Sequence, residues 1–183
     1  MTEIALLYDE LSYNIFMKKR VFRIAAYVLT VTSVCLVAGA VALCIIFPNR
    51  YAREAERAAA EYGLSASLVK SVVWAESRFD PYATSSKGAK GLMQLMPETF
   101  DAVKAQTGID GDIYDPVTSL RCGCYYLSFL IDRFDGNETA ALMAYNAGES
   151  NARRFLAGEP VYPETKKYLD NIARARRVYS VFN

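Results

Sequence analysis

The sequence predicts an all-α protein in which a single transmembrane helix precedes a compact helical domain. An uncharged apolar run covers Ile24–Phe47, and after it apolar residues recur at intervals of three and four, interrupted by glycine, proline and capping residues. Apolar and polar residues alternate for only a few positions at a time there, so no strand is expected. The 183 residues allow one domain of ordinary size and a short additional segment.

The apolar run is long enough to be a transmembrane signal anchor over residues 24–47. As a helix it extends about 36 Å, more than the roughly 30 Å hydrocarbon core of a bilayer. Residues 1–23 carry no acidic side chain after position 11 and end in a basic cluster of Lys18, Lys19, Arg20 and Arg23. Basic residues favour the cytoplasmic side. We therefore expect a single-pass protein of the cell membrane, with residues 1–23 in the cytoplasm and the domain at residues 50–183 outside it.

Two alternatives concern this N-terminal region. Ala38-Gly39-Ala40 has the small-x-small pattern of a signal-peptide cleavage site, but the apolar run continues seven residues beyond it, which favours an uncleaved anchor. Met17-Lys18-Lys19 resembles the start of an export signal in its own right. The sequence therefore allows a start at Met1 or at Met17.

Composition excludes several kinds of site. The chain has no His, so it cannot form a Ser-His or Cys-His nucleophile pair or a His-ligated zinc site. A net charge of +1 gives no support to nucleic-acid binding. The cysteines show no Cys-x-x-Cys spacing, which favours small buried apolar side chains. They are Cys35, Cys44, Cys122 and Cys124.

The helices of the domain are predicted from their start and stop signals. The first extends to Gly63, and the second begins at Ser65 or Ser67 and is ended by Asp80-Pro81. A loop rich in Ser, Lys and Gly follows. Further helices are predicted from Pro97 to Gly108, from Asp115-Pro116 to Gly136, from Asn137 to Gly148, over Ser150–Leu156, and from near Pro163 to about Tyr179.

Glu76 occupies a position where an amphipathic helix should carry an apolar residue. It lies four residues after Val72 and three after Val73, on the face that they share. A carboxyl group partly removed from water near the C-terminal end of a helix is shifted towards its protonated form, as a general acid requires. From this segment alone, a glutamate that extends into solvent is the simpler interpretation.

Four motifs follow one another along the domain. They are Glu76-Ser77, Gly91-Leu92-Met93-Gln94-Leu95-Met96-Pro97, Ala144-Tyr145-Asn146-Ala147-Gly148, and Pro163-Glu164-Thr165 with Tyr168 three residues further on. In this order they resemble the catalytic domain of the soluble lytic transglycosylases, a lysozyme-like fold related to goose-type lysozyme. The resemblance covers about residues 53–180, nearly all of the predicted helical domain.

This resemblance implies a bacterial enzyme that cuts the β-1,4 bond between N-acetylmuramic acid and N-acetylglucosamine in peptidoglycan and leaves a 1,6-anhydro end. It implies Glu76 as the single catalytic acid and base, without cofactor or metal. The substrate-binding residues that it implies are Ser77, Gln94 and Met96 along the sugar groove, Tyr145 and Asn146 facing the glutamate, and Glu164 and Tyr168 on the far wall. Peptidoglycan strands and the membrane are the partners expected; the sequence identifies no protein partner.

Ordinary structural roles also explain some of these residues. Glu164 suits the first turn of a helix and Tyr168 the core, and these roles explain them as well as substrate binding does. Asn146 can satisfy backbone carbonyls at a helix end, and Gln94 and Met96 can be a solvated amide and a gap-filling side chain.

The number of available carboxyl groups constrains the mechanism. Most glycosidases use two, whereas here Asp80 suits a turn, and Glu98 and Asp101 suit the first turn of a helix. With one acid, a workable route has Glu76 protonate the glycosidic oxygen and then deprotonate the C6 hydroxyl of the muramic acid, which attacks C1 of its own ring. Two alternatives remain, a hydrolysing muramidase of goose type and a non-catalytic glycan-binding module of a cell-envelope complex.

Overall fold

The computed structural model describes the backbone of residues 2–181 and the side chains of residues 11, 13 and 15–181. The chain divides into two compact units, with the boundary between Ile46 and Phe47. The described residues form eight α-helices and no β-strand, only isolated bridges. The predicted all-α class is confirmed.

The first unit is a single helix, α1, over Thr2–Ile46. The part of this helix over Ile15–Ile46 is long and apolar enough to cross a membrane, with a mean hydropathy of 2.5. The helix also includes residues 2–23, where no Gly or Pro interrupts it. This apolar helix supports membrane anchoring.

The prediction that all four cysteines are buried is wrong for two of them. Cys35 and Cys44 are exposed on α1, because a single helix cannot bury its own side chains. Cys122 and Cys124 are fully buried in the second unit, as predicted.

The second unit contains seven helices within its described residues. They are α2 (Ala52–Glu61), α3 (Ala66–Ser77), α4 (Pro97–Thr107), α5 (Pro116–Arg133), α6 (Glu138–Ala147), α7 (Glu149–Leu156) and α8 (Pro163–Tyr179). Each predicted helix is present, with ends that differ by at most a few residues.

Three predicted N-caps are confirmed. The side chains of Ser65, Asp115 and Asn137 accept a hydrogen bond from the backbone N–H three residues later, at 3.3, 2.8 and 3.0 Å. Each satisfies an amide that the first helical turn leaves unpaired. Of the two predicted caps of α3, Ser65 rather than Ser67 has this role.

Helix α3 ends close to the predicted position, about Arg78, but not through the predicted signal. Its last residue is Ser77, and the next two, Arg78 and Phe79, have left-handed backbones with φ of 54° and 63°. The Arg78 N–H donates to the Trp74 carbonyl at 3.3 Å. A left-handed residue closes a helix by itself, so Asp80-Pro81 follows the end of the helix and does not cause it.

The core of the second unit is built around the packing of α3 against α8, the most extensive helix pair. Val69, Val72 and Val73 on α3 are fully buried, as are Ile172 and Ala175 on α8. Each buried valine contributes about 1.5–3 kcal/mol relative to an exposed one. This packing fixes α3 relative to α8.

Phe47, the last residue of the predicted transmembrane run, packs within the second unit. Its ring stacks on Trp74 with centroids 5.0 Å apart and planes inclined by 18°. The Tyr179 hydroxyl donates to the Pro48 carbonyl at 2.8 Å. These contacts attach the beginning of the second unit to α3 and α8.

Candidate active site

Glu76 lies one residue before the end of α3, next to the buried valine face. Its side chain is partly buried, and burial raises the pKa of its carboxyl group to about 7. The Tyr168 hydroxyl on α8 donates to Oε1 at 2.7 Å, which acts in the opposite direction and lowers the pKa. The raised pKa predicted from the apolar stripe is therefore confirmed.

Within the described part of the chain, Glu76 has no cationic partner. Among the residues that the structure describes, no Lys or Arg forms an ion pair with it, and Oε2 accepts no hydrogen bond. An unpaired carboxyl group with one neutral donor and little water is stabilised in its protonated form. Such a group can hold a proton near neutral pH and transfer it through Oε2.

The segment Gly91–Met96 lies beside the end of α3 and is attached to helices α3, α5 and α6 by one hydrogen bond each. The Ser77 hydroxyl donates to the Leu92 carbonyl at 2.8 Å, and the Met93 N–H donates to the Ser119 hydroxyl at 3.3 Å. The Tyr145 hydroxyl donates to the Met93 carbonyl at 2.7 Å. Ser77 is buried, so its observed role is to connect α3 to this segment.

Two glycines allow the segment to pass close to its neighbours. Gly91 has φ 77°, and a Cβ there would lie 2.2 Å from the Ile113 carbonyl oxygen. A Cβ at Gly123, in the middle of α5, would lie 2.5 Å from the side chain of Met93. Gly123 belongs to none of the motifs. A glycine inside a helix destabilises the helix by up to about 1 kcal/mol. Its presence at this position was therefore the sequence signal that another part of the chain approaches closely.

Gln94 stabilises the turn that it belongs to. Its backbone is left-handed, with φ 47°, and its side-chain nitrogen donates to the Ala83 and Gly91 carbonyls, both at 3.0 Å. Met96 follows at the start of α4 with 39% of its surface exposed. The segment therefore presents one constrained amide and one free thioether side chain.

A groove of about 220 Å³ collects four of the predicted binding residues: Gln94, Met96, Tyr145 and Asn146. Tyr145 lines this groove, and burial and then the charge of Glu76 raise the pKa of its hydroxyl well above the ordinary value. The Tyr145 hydroxyl itself is directed to Met93 and not to the glutamate. Asn146 is exposed at the end of α6.

The remaining predicted residues lie outside the lining of this groove. Tyr168 is buried and contacts Glu76 directly. Glu164 is exposed on the first turn of α8, one helical turn before Tyr168. Asp80 accepts a hydrogen bond from the Tyr82 N–H at 3.0 Å, the turn role expected for it. The described residues contain no cluster of three or more metal-ligating side chains.

Comparison with known proteins identifies the family. The model of the transglycosylase SLT domain matches residues 53–166. The peptidoglycan transglycosylase gp16 of Escherichia phage T7 is 36% identical to 56% of this chain, and the membrane-bound lytic murein transglycosylase C of Haemophilus influenzae (strain PittGG) is 32% identical to 69% of it. The chain spans 8% and 40% of the length of these curated relatives.

A solved structure is similar over the same region. The X-ray structure of an inactive mutant of the lytic transglycosylase Slt from Pseudomonas aeruginosa superposes with a TM-score of 0.71 at 31% identity. The match covers 75% of this chain and 25% of that protein. Together with the match of the family model over more than half of the sequence, this likeness shows that the chain belongs to the family of transglycosylase SLT domains.

Proposed function

We propose that this protein is a membrane-anchored lytic transglycosylase that cleaves the β-1,4 bond between N-acetylmuramic acid and N-acetylglucosamine in peptidoglycan. One observation carries the proposal. Glu76 is a partly buried carboxyl group with a pKa raised to about 7 and, within the described part of the chain, no cationic partner; Tyr145, whose hydroxyl pKa the Glu76 charge helps to raise, lines an open groove. The names of the relatives, a peptidoglycan transglycosylase and lytic murein transglycosylases, support the same chemistry.

In the first step, Glu76 donates its proton to the oxygen of the glycosidic bond. Because its pKa is about 7, a large fraction of the carboxyl group is protonated at neutral pH. Tyr168 holds Oε1, so the proton is transferred from Oε2. The bond from C1 of the muramic acid to that oxygen breaks, and the N-acetylglucosamine leaves with a hydroxyl group.

In the second step, Glu76 acts as a carboxylate and removes the proton from the C6 hydroxyl of the same muramic acid. The C6 oxygen attacks C1, which closes the 1,6-anhydro ring and restores the protonated glutamate. The attacking group is tethered to the reacting ring, so it has the large effective concentration of an intramolecular nucleophile. One carboxyl group therefore completes the cycle, where most glycosidases need two.

The other residues are proposed to bind and orient the strand. Gln94, Met96, Tyr145 and Asn146 line the groove and would contact sugars next to the cleaved bond. Ser77 is better explained as a positioning residue, since its hydroxyl is bonded to the Leu92 carbonyl. Tyr168 and Glu164 share one face of the first half of α8, and we place Glu164 against a more distant part of the substrate.

We further propose that α1 anchors the protein with residues 1–23 in the cytoplasm and residues 50–183 outside. The basic cluster before the apolar run supports this orientation. It is tested by adding protease to intact spheroplasts. The domain should be digested from outside, and protection until lysis would contradict the orientation.

The activity is tested with the full chain in detergent micelles on purified peptidoglycan. We expect soluble muropeptides with anhydro ends, each one water lighter than a reducing end, and a rate lower by about 10²- to 10⁴-fold in Glu76→Gln. Circular dichroism checks that the variant is folded. Reducing ends would indicate the hydrolysing muramidase, and binding without product would indicate the glycan-binding module; either result contradicts the proposal.

A further inference from the structure

A second groove continues from the one beside Glu76. It has a volume of about 90 Å³ and lies between α4 and α5. Two residues, Thr99 and Tyr126, line both grooves, so the two grooves are neighbours on the surface. A polymer bound across Glu76 has to leave the first groove, and the second groove is next to it.

Aromatic rings line the second groove. The Tyr126 ring lies 5.5 Å from the Tyr145 ring of the first groove, and the Phe129 ring lies 6.4 Å from the Tyr126 ring, with planes inclined by only 16°. Phe129 is 43% exposed although it is a large apolar side chain on a helix of the compact unit. We call these two nearly parallel rings the aromatic shelf, and Phe129 is the part of it that is most open to solvent.

The chemistry of the lining identifies the occupant. No residue that lines the second groove carries a charge, and polar groups stand at its edge. The Tyr125 hydroxyl there donates to the Gln106 side-chain oxygen at 3.1 Å, which leaves the amide nitrogen of Gln106 as a donor. A pyranose ring has an apolar C–H face and a rim of hydroxyl groups. An uncharged shelf with polar edges suits such a ring and does not suit the carboxylates of a stem peptide.

We infer that Phe129 and Tyr126 form an additional sugar subsite that binds the glycan strand one or more residues beyond the cleaved bond. The inference rests on the proposed function, which supplies the strand. It makes Phe129 a specificity residue that selects longer strands. Phe129 lines the second groove and not the first, so its effect should depend on the length of the substrate.

The test uses peptide-free glycan strands of graded length, from a tetrasaccharide upwards, with the full chain in detergent. In Phe129→Ala, we expect kcat/KM to fall about tenfold on long strands, the equivalent of ~1.4 kcal/mol, mostly through KM. Cleavage of the tetrasaccharide should be unchanged. Phe129→Tyr keeps a flat ring and should retain the preference for long strands.

Val117→Ala is the matched control, because Val117 is also an exposed apolar residue on α5, at 48%, and lines neither groove. It should behave as the wild type on every strand. An equal loss on all lengths, no loss on any, or the same loss in the control would overturn the inference. A loss confined to strands that carry stem peptides would also overturn it, in favour of a peptide site.

A binding experiment separates this inference from the proposed function. Phe129→Trp in the Glu76→Gln background places an indole on the shelf, and Trp74, the single native Trp, is buried. Long strands should shift its fluorescence and the tetrasaccharide should not. An inactive wild type would contradict the proposed function, whereas the absence of this shift would contradict only the subsite.

Discussion

Two clefts in the second unit differ in size and in the partners of their carboxyl groups. The larger, about 620 Å³, lies between α6 and α8, and its Glu138 is paired with Arg176. The smaller, about 220 Å³, is lined by Tyr145, whose hydroxyl pKa the charge of Glu76 helps to raise, and Glu76 has a neutral tyrosine as its hydrogen-bond partner. Burial beside a neutral partner raises the pKa of Glu76 to about 7 and favours its protonated form. The comparison shows that the candidate site is marked by the chemistry of its acid and not by cavity volume.

The largest expected effect concerns the segment that walls the smaller groove. Gly91→Ala combines a left-handed backbone, φ 77°, with a Cβ placed 2.2 Å from the Ile113 carbonyl oxygen. We expect a loss of about 2–4 kcal/mol in the free energy of unfolding and a loss of cleavage. Urea unfolding and muropeptide release measure the two effects.

Gly108→Ala provides the matched control for this prediction. Gly108 also has a left-handed backbone, φ 70°, but a Cβ there has nothing within 4 Å. Gly108→Ala should lower the free energy of unfolding by about 1 kcal/mol, through backbone strain alone, and should retain cleavage. Equal effects of the two substitutions would show that the close approach at Gly91 is unimportant.

Most of the helical frame could be predicted from the sequence, because its determinants are local. Ser65, Asp115 and Asn137 cap their helices through hydrogen bonds that span three residues. Glu76 extends a buried stripe, but that stripe alone made a glutamate in solvent the simpler interpretation, and only the resemblance to a family indicated a catalytic acid. The signal that ends α3 was assigned to Asp80-Pro81 because the left-handed pair Arg78 and Phe79 leaves no sequence signal as strong as a proline.

Long-range contacts could not be predicted in the same way. The Tyr168 hydroxyl meets Glu76 across 92 positions of the chain, and Gly123 accommodates Met93 from a different helix. Nothing in the local pattern indicates either pairing. The resemblance to a family named the residues of the groove, but the structure alone shows that Ser77 and Tyr145 bond to the backbone of the segment beside it.

The second prediction uses pH to compare Glu76 with an ordinary ion-paired acid. The pKa of Glu76 is raised from 4.5 to about 7, so the folded state binds the extra proton. The contribution of this group to the free energy of unfolding should therefore be highest below pH 4.5, fall by roughly 3 kcal/mol as pH rises through 7, and then level off. The difference in the free energy of unfolding between wild type and Glu76→Gln, measured in urea across this pH range, isolates this contribution.

Glu61 should show the opposite sign. The side-chain hydrogen bond from Arg121 lowers the pKa of this carboxyl group, so its contribution is present above its unfolded pKa and is lost in acid. If the free energy of unfolding of wild type relative to Glu76→Gln increased with pH, as expected for Glu61, the raised pKa of Glu76 would be wrong.

The third prediction is a shift in the pH dependence of the rate. Tyr168→Phe removes the 2.7 Å hydrogen bond that holds the pKa of Glu76 down. The pKa should rise, and the limb of the rate profile that reports loss of the Glu76 proton should move to higher pH. Tyr179→Phe is the control, because this buried α8 tyrosine donates to the Pro48 carbonyl instead. A profile that moves equally in both variants would indicate a general effect of losing a core hydroxyl.

The smallest effect is expected in the larger cleft. Glu138→Gln breaks the ion pair with Arg176, but both side chains are more than one third exposed, so solvent screens the interaction. The free energy of unfolding should change by at most ~1 kcal/mol, and cleavage should remain at the wild-type level. A loss of cleavage comparable with that of Glu76→Gln would move the candidate site to this cleft.

The claim that Glu76 serves as both acid and base, with the C6 hydroxyl as nucleophile, is tested most directly by digestion in water labelled with heavy oxygen. If the attacking oxygen belongs to the substrate, the new muramic acid ends are anhydro and carry no label, and Glu76→Gln forms almost none of them. Labelled reducing ends would show that water attacks C1, and would contradict the proposed mechanism.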